Sequence, residues 1–236
     1  MPTDERETAS AFVRDGDVAL LLDAGTGVRR LVLDPARVEG VMRLHICLTH
    51  FHLDHVVGLS YAGDLGVAIE VWGGGEVLED TPTAELIERL LGSPFTAPGY
   101  SRSFEAVHEL REGEQLVGPF HVRARTQPHH RNPTLALRIG DGLVCCTDTA
   151  YDEENVEFAR GARVLLHESF VAADTTDDPA HTAAGDAARL AAAAGVERLV
   201  LIHVNPLEAD EDVLLGFARK HFAATEVGRD GLELSV

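Results

Sequence analysis

The chain has 236 residues, 45% of them hydrophobic and 25% charged, which is enough for one large globular domain with a substantial core. Its 39 acidic and 20 basic residues give a formal net charge of −19, and such a surface repels nucleic acid and anionic membranes unless a local basic patch opposes it. The nearest approach to a basic patch is the group Arg123, Arg125, Arg131 and Arg138, and no apolar run approaches the roughly 18 residues that cross a bilayer.

The chain begins with the polar, acidic stretch MPTDERETAS. This stretch resembles neither a signal peptide nor a basic transit peptide, so we predict a cytoplasmic protein. Short apolar runs follow it. Residues 18–23 and 28–33 are predicted to be strands separated by a turn at 24–27, and residues 44–49 and 67–72 are predicted to be two further strands.

A helix is predicted after Thr81-Pro82, with the threonine as N-cap and the proline at the first helical position. Its AELIERLL pattern places apolar residues at helical spacing, and Gly92 ends it. Residues 93–103 are rich in Ser, Pro and Gly and are predicted to form a loop.

The second half of the chain contains further apolar runs, which predict strands at 116–124, 135–139, 143–147, 163–167 and 198–202. The chain has three cysteines, an odd number that gives no disulfide framework, and we predict that the adjacent Cys145 and Cys146 are buried strand residues. Helices are predicted from about Thr182 to Ala194, ended by Gly195, and near 211–222, before a last strand near 230–236. Strand runs with helices late in each half predict two sheets packed together with helices outside, in a single domain over residues 1–236.

Three histidines and one aspartate lie within six residues, directly after the strand at 44–49: His50, His52, Asp54 and His55. Transition metals such as zinc favour imidazole and carboxylate ligands, and catalytic sites leave one position for water. If the chain stays extended there, His50 and His52 project to the same side and can share one metal. Asp54 and His55 then turn inward as the next helix begins, near a second metal. A surface loop that is merely polar is the alternative, and this spacing supports it poorly.

Three more polar residues follow predicted strands or lie between them. Asp148 follows LVCCT, where a carboxylate can bridge two cations, His203 follows RLVLI, and His130 lies in PHHRNP. For each residue alone, a structural role is as good an interpretation as metal ligation. Together, and in this order, they complete two coordination spheres.

Seven segments spread over the chain carry a family resemblance: DAGTG (23–27), THFHLDH (49–55), PHHRNP (128–133), CTDT (146–149), LLHESF (165–170), the pair His181-Thr182, and LVLIHVNP (199–206). They resemble the metallo-β-lactamase superfamily of hydrolases, and within it most of all the branch that contains ribonuclease Z and its phosphodiesterase relatives. The resemblance implies a metal-dependent hydrolase with an α+β fold, a four-layer αββα sandwich.

The same resemblance implies a set of metal ligands. One metal takes His50, His52 and His130, the second takes Asp54, His55 and His203, and Asp148 bridges both. His130 is preferred to its neighbour His129 because the family pattern has a proline three positions after the ligand, where Pro133 stands; the reverse assignment stays open. Two divalent ions are expected, with zinc preferred and manganese or iron as alternatives.

Glu168 and His181 resemble a pair of ribonuclease Z in which the glutamate orients a histidine that protonates the leaving oxygen. A salt-bridged strand end is the alternative for Glu168, and a neighbour of a helix cap is the alternative for His181. The implied chemistry is attack on phosphorus by a hydroxide that bridges the two metals. Asp54 would ligate a metal and accept a hydrogen bond from that nucleophile, and His181 would act as general acid.

Departures from the branch narrow the substrate. The chain lacks the usual N-terminal Gly-Thr-Gly-Gly-like turn and the long Gly/Pro-rich arm that clamps transfer RNA, and it has Ala183 where a hydroxyl residue is usual. Together with the net charge of −19, this predicts a small phosphodiester or a nucleotide-derived substrate instead of transfer RNA. A homodimer stays open.

Other functions on the same scaffold remain as alternatives. A thioester or lactone hydrolase, similar to glyoxalase II or to lactonases, is opposed by the segments that contain Glu168 and His181. A β-lactamase is opposed by Asp148, where many such enzymes have cysteine, and a flavodiiron-type redox role by His52, where a glutamate is expected. A non-catalytic metal-binding or scaffolding module is opposed by the complete ligand set.

Overall fold

A computed structural model describes residues 6–96, 103–128, 130–207 and 210–236. The chain divides into two compact units, Met1–Phe120 and His121–Val236, and each has a sheet and a hydrophobic core of its own. The prediction of a single domain over residues 1–236 stays a prediction. Within the described ranges, none of the helices has the length and apolar character needed to cross a membrane.

The first unit contains a mixed sheet with the strand order β1-β2-β3-β4-β5. Its strands are β1 (Ala11–Asp15), β2 (Val18–Leu22), β3 (Arg43–Leu48), β4 (Ala68–Gly73) and β5 (Ala106–Glu109), and a further strand, β6, spans Gly113–Val117. The pair β1–β2 is antiparallel, and β2 to β5 are parallel. The strands predicted at 18–23, 44–49 and 67–72 are therefore confirmed.

One face of this sheet is apolar and packs against short helices. These are α1 (Val28–Leu33), α2 (Leu53–Val56), α3 (Leu59–Ala62) and α5 (Thr83–Leu90), and a further short helix, α4 (Gly75–Glu79), precedes α5 in the chain. The strand predicted at 28–33 is wrong, because α1 occupies those residues. Val28 and Leu31 are buried while Arg29 and Arg30 are exposed, which is the spacing of a helix and not the alternation of a strand. A six-residue apolar run fits either period, so the sequence alone could not separate them.

The helix predicted after Thr81-Pro82 is confirmed, but its cap is wrong. Pro82 is the N-cap and Thr83 the first helical residue. The Thr83 N–H donates to Oε1 of Glu109 over 2.5 Å, so a carboxylate at the end of β5 satisfies an amide that the helix itself leaves unpaired. The cap depends on a tertiary contact that lies 26 residues away in sequence.

The sheet of the second unit has the order β12-β11-β10-β9-β8-β7. Its strands are β7 (Phe120–Gln127), β8 (Thr134–Ile139), β9 (Leu143–Cys146), β10 (Val164–Glu168), β11 (Arg198–Ile202) and β12 (Thr225–Val227). The pairs β7–β8 and β8–β9 are antiparallel, and β9 to β12 are parallel. Cys145 and Cys146 are buried on β9, as predicted.

Two strand predictions in this half are wrong. The single strand predicted at 116–124 is broken at Gly118, whose φ of 56° lies in the left-handed region that glycine tolerates. The last strand lies at Thr225–Val227 instead of 230–236. Residues 225–227 pair with β11. They occupy the edge of the sheet at which the alternation of apolar residues in 230–236 predicts a strand.

Helices of the second unit are α6 (Glu154–Ala159), α7 (Ala184–Ala194) and α8 (Glu211–Ala218). Helix α7 buries five alanines, among them Ala187, Ala188 and Ala191. Small side chains allow a close approach to the sheet, where Leu165, Leu199 and Leu201 belong to the same core. Gly195 ends α7 in the left-handed conformation, as predicted, with φ of 65°.

Candidate metal centre

The first-unit cluster, which we define as His50, His52, Asp54 and His55, lies where β3 passes into α2. Thr49 and His50 follow the strand, His52 is the extended N-cap of α2, and Asp54 and His55 belong to the helix. His50 Nε2 and His52 Nδ1 are 3.0 Å apart, and Asp54 Oδ2 lies 3.6 Å from His55 Nε2. The two pairs expected from the spacing are thus each brought together.

Asp23 orients two histidines of this cluster, although the sequence interpretation gave it no role. It follows β2, and its carboxylate is buried and accepts hydrogen bonds from the Thr49 N–H (2.7 Å) and the Thr49 hydroxyl (3.0 and 2.9 Å). Because the hydroxyl proton points to Asp23, Thr49 Oγ1 accepts from His50 Nδ1, 3.1 Å away. His55 Nδ1 lies 2.9 Å from Asp23 Oδ2. In both imidazoles Nδ1 carries the proton, and Nε2 has the lone pair with which a histidine can bind a metal.

The turn after Asp23 holds α2 in place. The Ala24 N–H donates to the His55 carbonyl (2.8 Å), and the Gly58 N–H donates to the Ala24 carbonyl (2.7 Å). A side chain on Gly25 has no room, because a Cβ there would lie 2.3 Å from the Asp54 carbonyl oxygen. The DAGTG segment therefore positions the backbone that carries Asp54 and His55.

The second-unit cluster, which we define as His130, Asp148, Glu168, His181 and His203, lies at strand ends of the second sheet. Asp148 Oδ1 is 3.4 Å from His203 Nε2 and 4.0 Å from His130 Nε2. His130 Nδ1 donates to the Ala180 carbonyl over 2.9 Å, so Nε2 is the ring nitrogen that has the lone pair. His129, the alternative ligand, lies outside the described residues.

Three residues at strand ends share an uncommon backbone conformation. Asp23, Asp148 and His203 have φ values of 60°, 51° and 49°, in the left-handed region that costs non-glycine residues free energy. Each belongs to one of the clusters or contacts one. Such strain persists where the surrounding contacts fix the side chain, which is expected at a functional site.

Glu168 and His181 form a hydrogen-bonded pair within the second unit. Glu168 is fully buried at the end of β10, and its Oε2 lies 3.0 Å from His181 Nδ1 and 3.3 Å from the Thr182 N–H, while Oε1 accepts from the Thr149 N–H. Burial raises the pKa of the Glu168 carboxyl well above its usual range, and His203 and the backbone donors act in the opposite direction. The Phe170 ring stacks on His181 with centroids 4.3 Å apart. Phe170 is a second residue that sequence interpretation missed.

The donor atoms of each cluster suit a divalent transition metal. In a tetrahedral zinc site with Zn–N distances of about 2.0–2.1 Å, two ligating nitrogens lie about 3.3 Å apart. His50 Nε2 and His52 Nδ1, at 3.0 Å, are close to this separation. In the second unit, Asp148 Oδ1 and His203 Nε2 are 3.4 Å apart, again close to this separation. Both donor sets therefore fit such an ion.

Comparison with known proteins identifies the family. The family model described as the beta-lactamase superfamily domain matches residues 19–204, which is most of the chain. The protein belongs to this superfamily.

Individual relatives agree with that assignment. A protein named ribonuclease Z from Synechococcus sp. (strain WH7803) is 27% identical and covers 100% of this chain and 93% of its own length. The metallo-beta-lactamase fold protein YhfI from Bacillus subtilis has a TM-score of 0.77 at 22% identity, covering 98% of this chain and 93% of that one. A diphosphatase from the PhnP family has a TM-score of 0.72 at 18% identity, covering 96% and 83%.

These findings confirm the predicted fold class, α+β with the metallo-β-lactamase fold, and the resemblance to ribonuclease Z. They also confirm that the protein is an enzyme, a hydrolase. The fold implies divalent metal ions as cofactors, and the structure contains His and Asp groups that can bind them.

Proposed function

We propose that the protein is a phosphodiesterase for small phosphodiesters, with two divalent cations as cofactors. The proposed ligands are His50, His52 and His130 for one ion, Asp54, His55 and His203 for the other, and Asp148 for both. The fixed protonation of Nδ1 in His50, His55 and His130 supports this proposal, because it leaves Nε2 of each ring able to bind metal. Zinc is the proposed metal, with manganese and iron as alternatives.

One observation carries the choice of a phosphodiester: the hydrogen-bonded pair of buried Glu168 and half-buried His181. His181 Nδ1 is held by Glu168 at 3.0 Å, and a ring nitrogen of His181 lies within 4.8 Å of ligand atoms of Asp148 and His203. A histidine in this position can donate a proton to an alkoxide leaving group. Hydrolysis of a thioester does not need such a proton donor, because the thiolate leaves without a proton. The thioester alternative is therefore not favoured.

Two divalent cations, when bound, supply activation of a water molecule and neutralisation of charge on the phosphate oxygens. The residues of the chain supply the rest. Asp54 accepts a hydrogen bond from the attacking water and so orients it toward phosphorus. As the bond from phosphorus to the leaving oxygen breaks, His181 Nε2 donates its proton to that oxygen, while Glu168 holds the ring from the other side.

The arginines of the second unit support a small substrate. Arg125 binds Asp152 and Glu154, Arg138 donates to backbone carbonyls, and Arg123 lies over the ring of Phe158 at 5.5 Å. Each of these three side chains makes contacts within its own unit. A net charge of −19 adds long-range repulsion of polyanions. The similarity to proteins named ribonuclease Z opposes this choice, so RNA is included in the test.

The test measures hydrolysis by enzyme loaded with Zn²⁺ or Mn²⁺. The substrates are bis-p-nitrophenyl phosphate, an alkyl p-nitrophenyl phosphodiester series, an acyl-thioester and a transfer-RNA precursor. We expect turnover of the diesters and little of the thioester or the RNA. Preferential cleavage of the thioester or of the precursor would overturn the proposed substrate class.

A pair of variants tests the general acid. His181→Ala is expected to slow diesters with poor leaving groups by about 100-fold or more, within the usual contribution of general acid catalysis, and to spare those with good leaving groups. The control is His221→Ala, because His221 also lies on a carboxylate, with Nε2 2.7 Å from Asp174 Oδ1. If both variants respond alike across the series, His181 is not the acid.

A further inference from the structure

A line of side-chain hydrogen bonds in the second unit runs from Arg125 to the backbone of Asp148. Arg125 Nη1 donates to Asn155 Oδ1 (2.8 Å), and Asn155 Nδ2 donates to Gln127 Oε1 (2.8 Å). Gln127 Nε2 then donates to Thr134 Oγ1 (2.9 Å), and the Thr134 hydroxyl donates to the Asp148 carbonyl (3.2 Å). Asn155, Gln127 and Thr134 are all fully buried.

The guanidinium sets the direction of the whole line. An arginine side chain has only donors, so Asn155 must present its oxygen to Arg125 and its NH₂ group to Gln127. Gln127 in turn must present its oxygen to Asn155 and its NH₂ group to Thr134. The Thr134 oxygen already accepts, and its single proton points to the backbone. Every donor therefore faces Asp148, and hydrogen bonds aligned in this way polarise and strengthen one another.

At its end, the line of hydrogen bonds reaches the backbone carbonyls of both Thr147 and Asp148. Gln127 Nε2 lies 3.2 Å from the Thr147 carbonyl oxygen, and Thr134 Oγ1 lies 3.3 Å from the same atom. Asp148 has a φ of 51°, in the left-handed region that is unfavourable for a residue other than glycine. These hydrogen bonds therefore stabilise a strained backbone conformation. The Thr147 hydroxyl donates to Asp148 Oδ2 over 2.7 Å, so the fixed backbone also orients the carboxylate.

The other end of the line is anchored by charge. Arg125 Nη2 lies 2.7 Å from Asp152 Oδ2 and 2.9 Å from Glu154 Oε2. Two carboxylates and one amide oxygen thus fix the guanidinium, and charge-assisted bonds of this kind are stronger than neutral ones. Asp152 is itself buried, so solvent weakens its ion pair with Arg125 less than it would weaken an exposed pair.

We infer that Arg125, Asn155, Gln127 and Thr134 are positioning residues that hold Asp148 in the geometry for binding metal. The inference rests on the proposed function, in which Asp148 is a ligand of both cations. Residues that orient metal ligands through hydrogen bonds usually change metal affinity by about 10–100-fold when they are replaced. An ordinary buried polar network would affect the stability of the fold and leave metal affinity alone.

The experiment compares two threonine variants of the full chain. Thr134→Val removes the hydroxyl that reaches the Asp148 carbonyl. Thr225→Val is its matched control, because Thr225 is also a buried strand threonine whose hydroxyl donates to a backbone carbonyl, that of Phe222 at 2.6 Å. The Kd for Zn²⁺ is measured by competition with a chelator, and the stability of the metal-free protein is measured by urea unfolding. Thr134→Ser, which keeps the hydroxyl, serves as the conservative rescue.

We expect both valine variants to lose similar stability and T134V alone to raise the Kd for Zn²⁺, by about 10-fold or more, with T134S close to wild type.

Arg125→Gln, against Arg138→Gln as control, tests the partly exposed end of the line, and R125Q should raise the Kd by less than T134V. R125Q also carries the test if T134V does not fold. Unchanged Kd values in T134V and R125Q would overturn the inference and leave the proposed function standing. A wild-type protein that binds no Zn²⁺, Mn²⁺ or iron would instead overturn the proposed function.

Discussion

The imidazole of His167 is fully buried on β10, and this makes the stability of the fold depend on pH. Nδ1 donates to the Glu168 carbonyl over 2.8 Å, while Nε2 is buried without a hydrogen-bond partner among the described residues. Burial lowers the pKa of His167 from 6.5 to about 4, because a charged imidazolium in the core has lost its water. The folded protein therefore keeps this ring neutral under conditions in which the unfolded chain protonates it.

The size of the effect follows from linkage. Between pH 6.5 and about 4 the unfolded state binds more protons at this residue than the folded state, so stability rises with pH in that window. The contribution is fully present above pH 6.5 and is lost as the pH falls toward 4. For these two pKa values, lowering the pH from 7.5 to 5 removes about 2 kcal/mol of unfolding free energy.

The assay is urea unfolding at several pH values between 7.5 and 5, with a chelator present so that metal release does not contribute. His167→Asn is the comparison, because the asparagine Nδ2 can still donate to the Glu168 carbonyl but does not titrate. We expect wild type to lose about 2 kcal/mol more than H167N over this range. Equal losses in the two proteins would refute the assignment of a neutral, buried His167.

Three further substitutions have distinct expected outcomes. Asp23→Asn should weaken Zn²⁺ binding by about 10–100-fold in a chelator competition, because the amide no longer fixes the proton on Nδ1 of His55, and an unchanged Kd would contradict that role. Gly25→Ala should lower the unfolding free energy in urea by about 3 kcal/mol or more, since the new Cβ would lie 2.3 Å from the Asp54 carbonyl oxygen; a stability equal to wild type would show that the turn can move. Phe170→Leu should leave Zn²⁺ affinity intact and reduce kcat for diesters with poor leaving groups by up to about 10-fold, as expected for the loss of one aromatic contact, and a uniform reduction across the leaving-group series would argue against a role in orienting the acid.

The first-unit cluster could be predicted because its residues are contiguous. His50 and His52 are separated by one residue, and an extended chain brings them to the same side whatever the rest of the fold does. Asp54 and His55 follow in a helix that begins directly after His52. Local geometry alone was enough for these four residues.

Asp23 could not be assigned in the same way, because its role depends on the pairing of β2 with β3. The register places Leu22 opposite Cys47, and the residues that follow these two come together at the end of the sheet. Nothing in the chain near Asp23 indicates that its carboxylate reaches Thr49 and His55. The signal that was present was its position directly after an apolar strand, the same rule that selected Asp148 and His203.

The wrong strand predictions have a similar origin. The run at 28–33 is apolar enough for either type of element, and the contacts of Val28 and Leu31 with the first core decided for a helix. The apolar alternation at 230–236 has the period of a strand, but residues 225–227 occupy the edge beside β11. Tertiary contacts override weak local preferences of this size.

The sequence by itself determined the candidate chemistry of this protein: the types of the proposed ligating side chains, their order, and the pair Glu168 and His181. Side-chain chemistry and spacing along the chain are local properties, and a single sequence contains them in full. The tertiary structure decided which ring nitrogen of His50, His55 and His130 carries the proton and how Asp148 is held. Those properties depend on hydrogen bonds between residues such as Asp23 and His55, 32 positions apart, or Arg125 and Asn155, 30 positions apart. Only the packing of helices against the sheets brings such residues together.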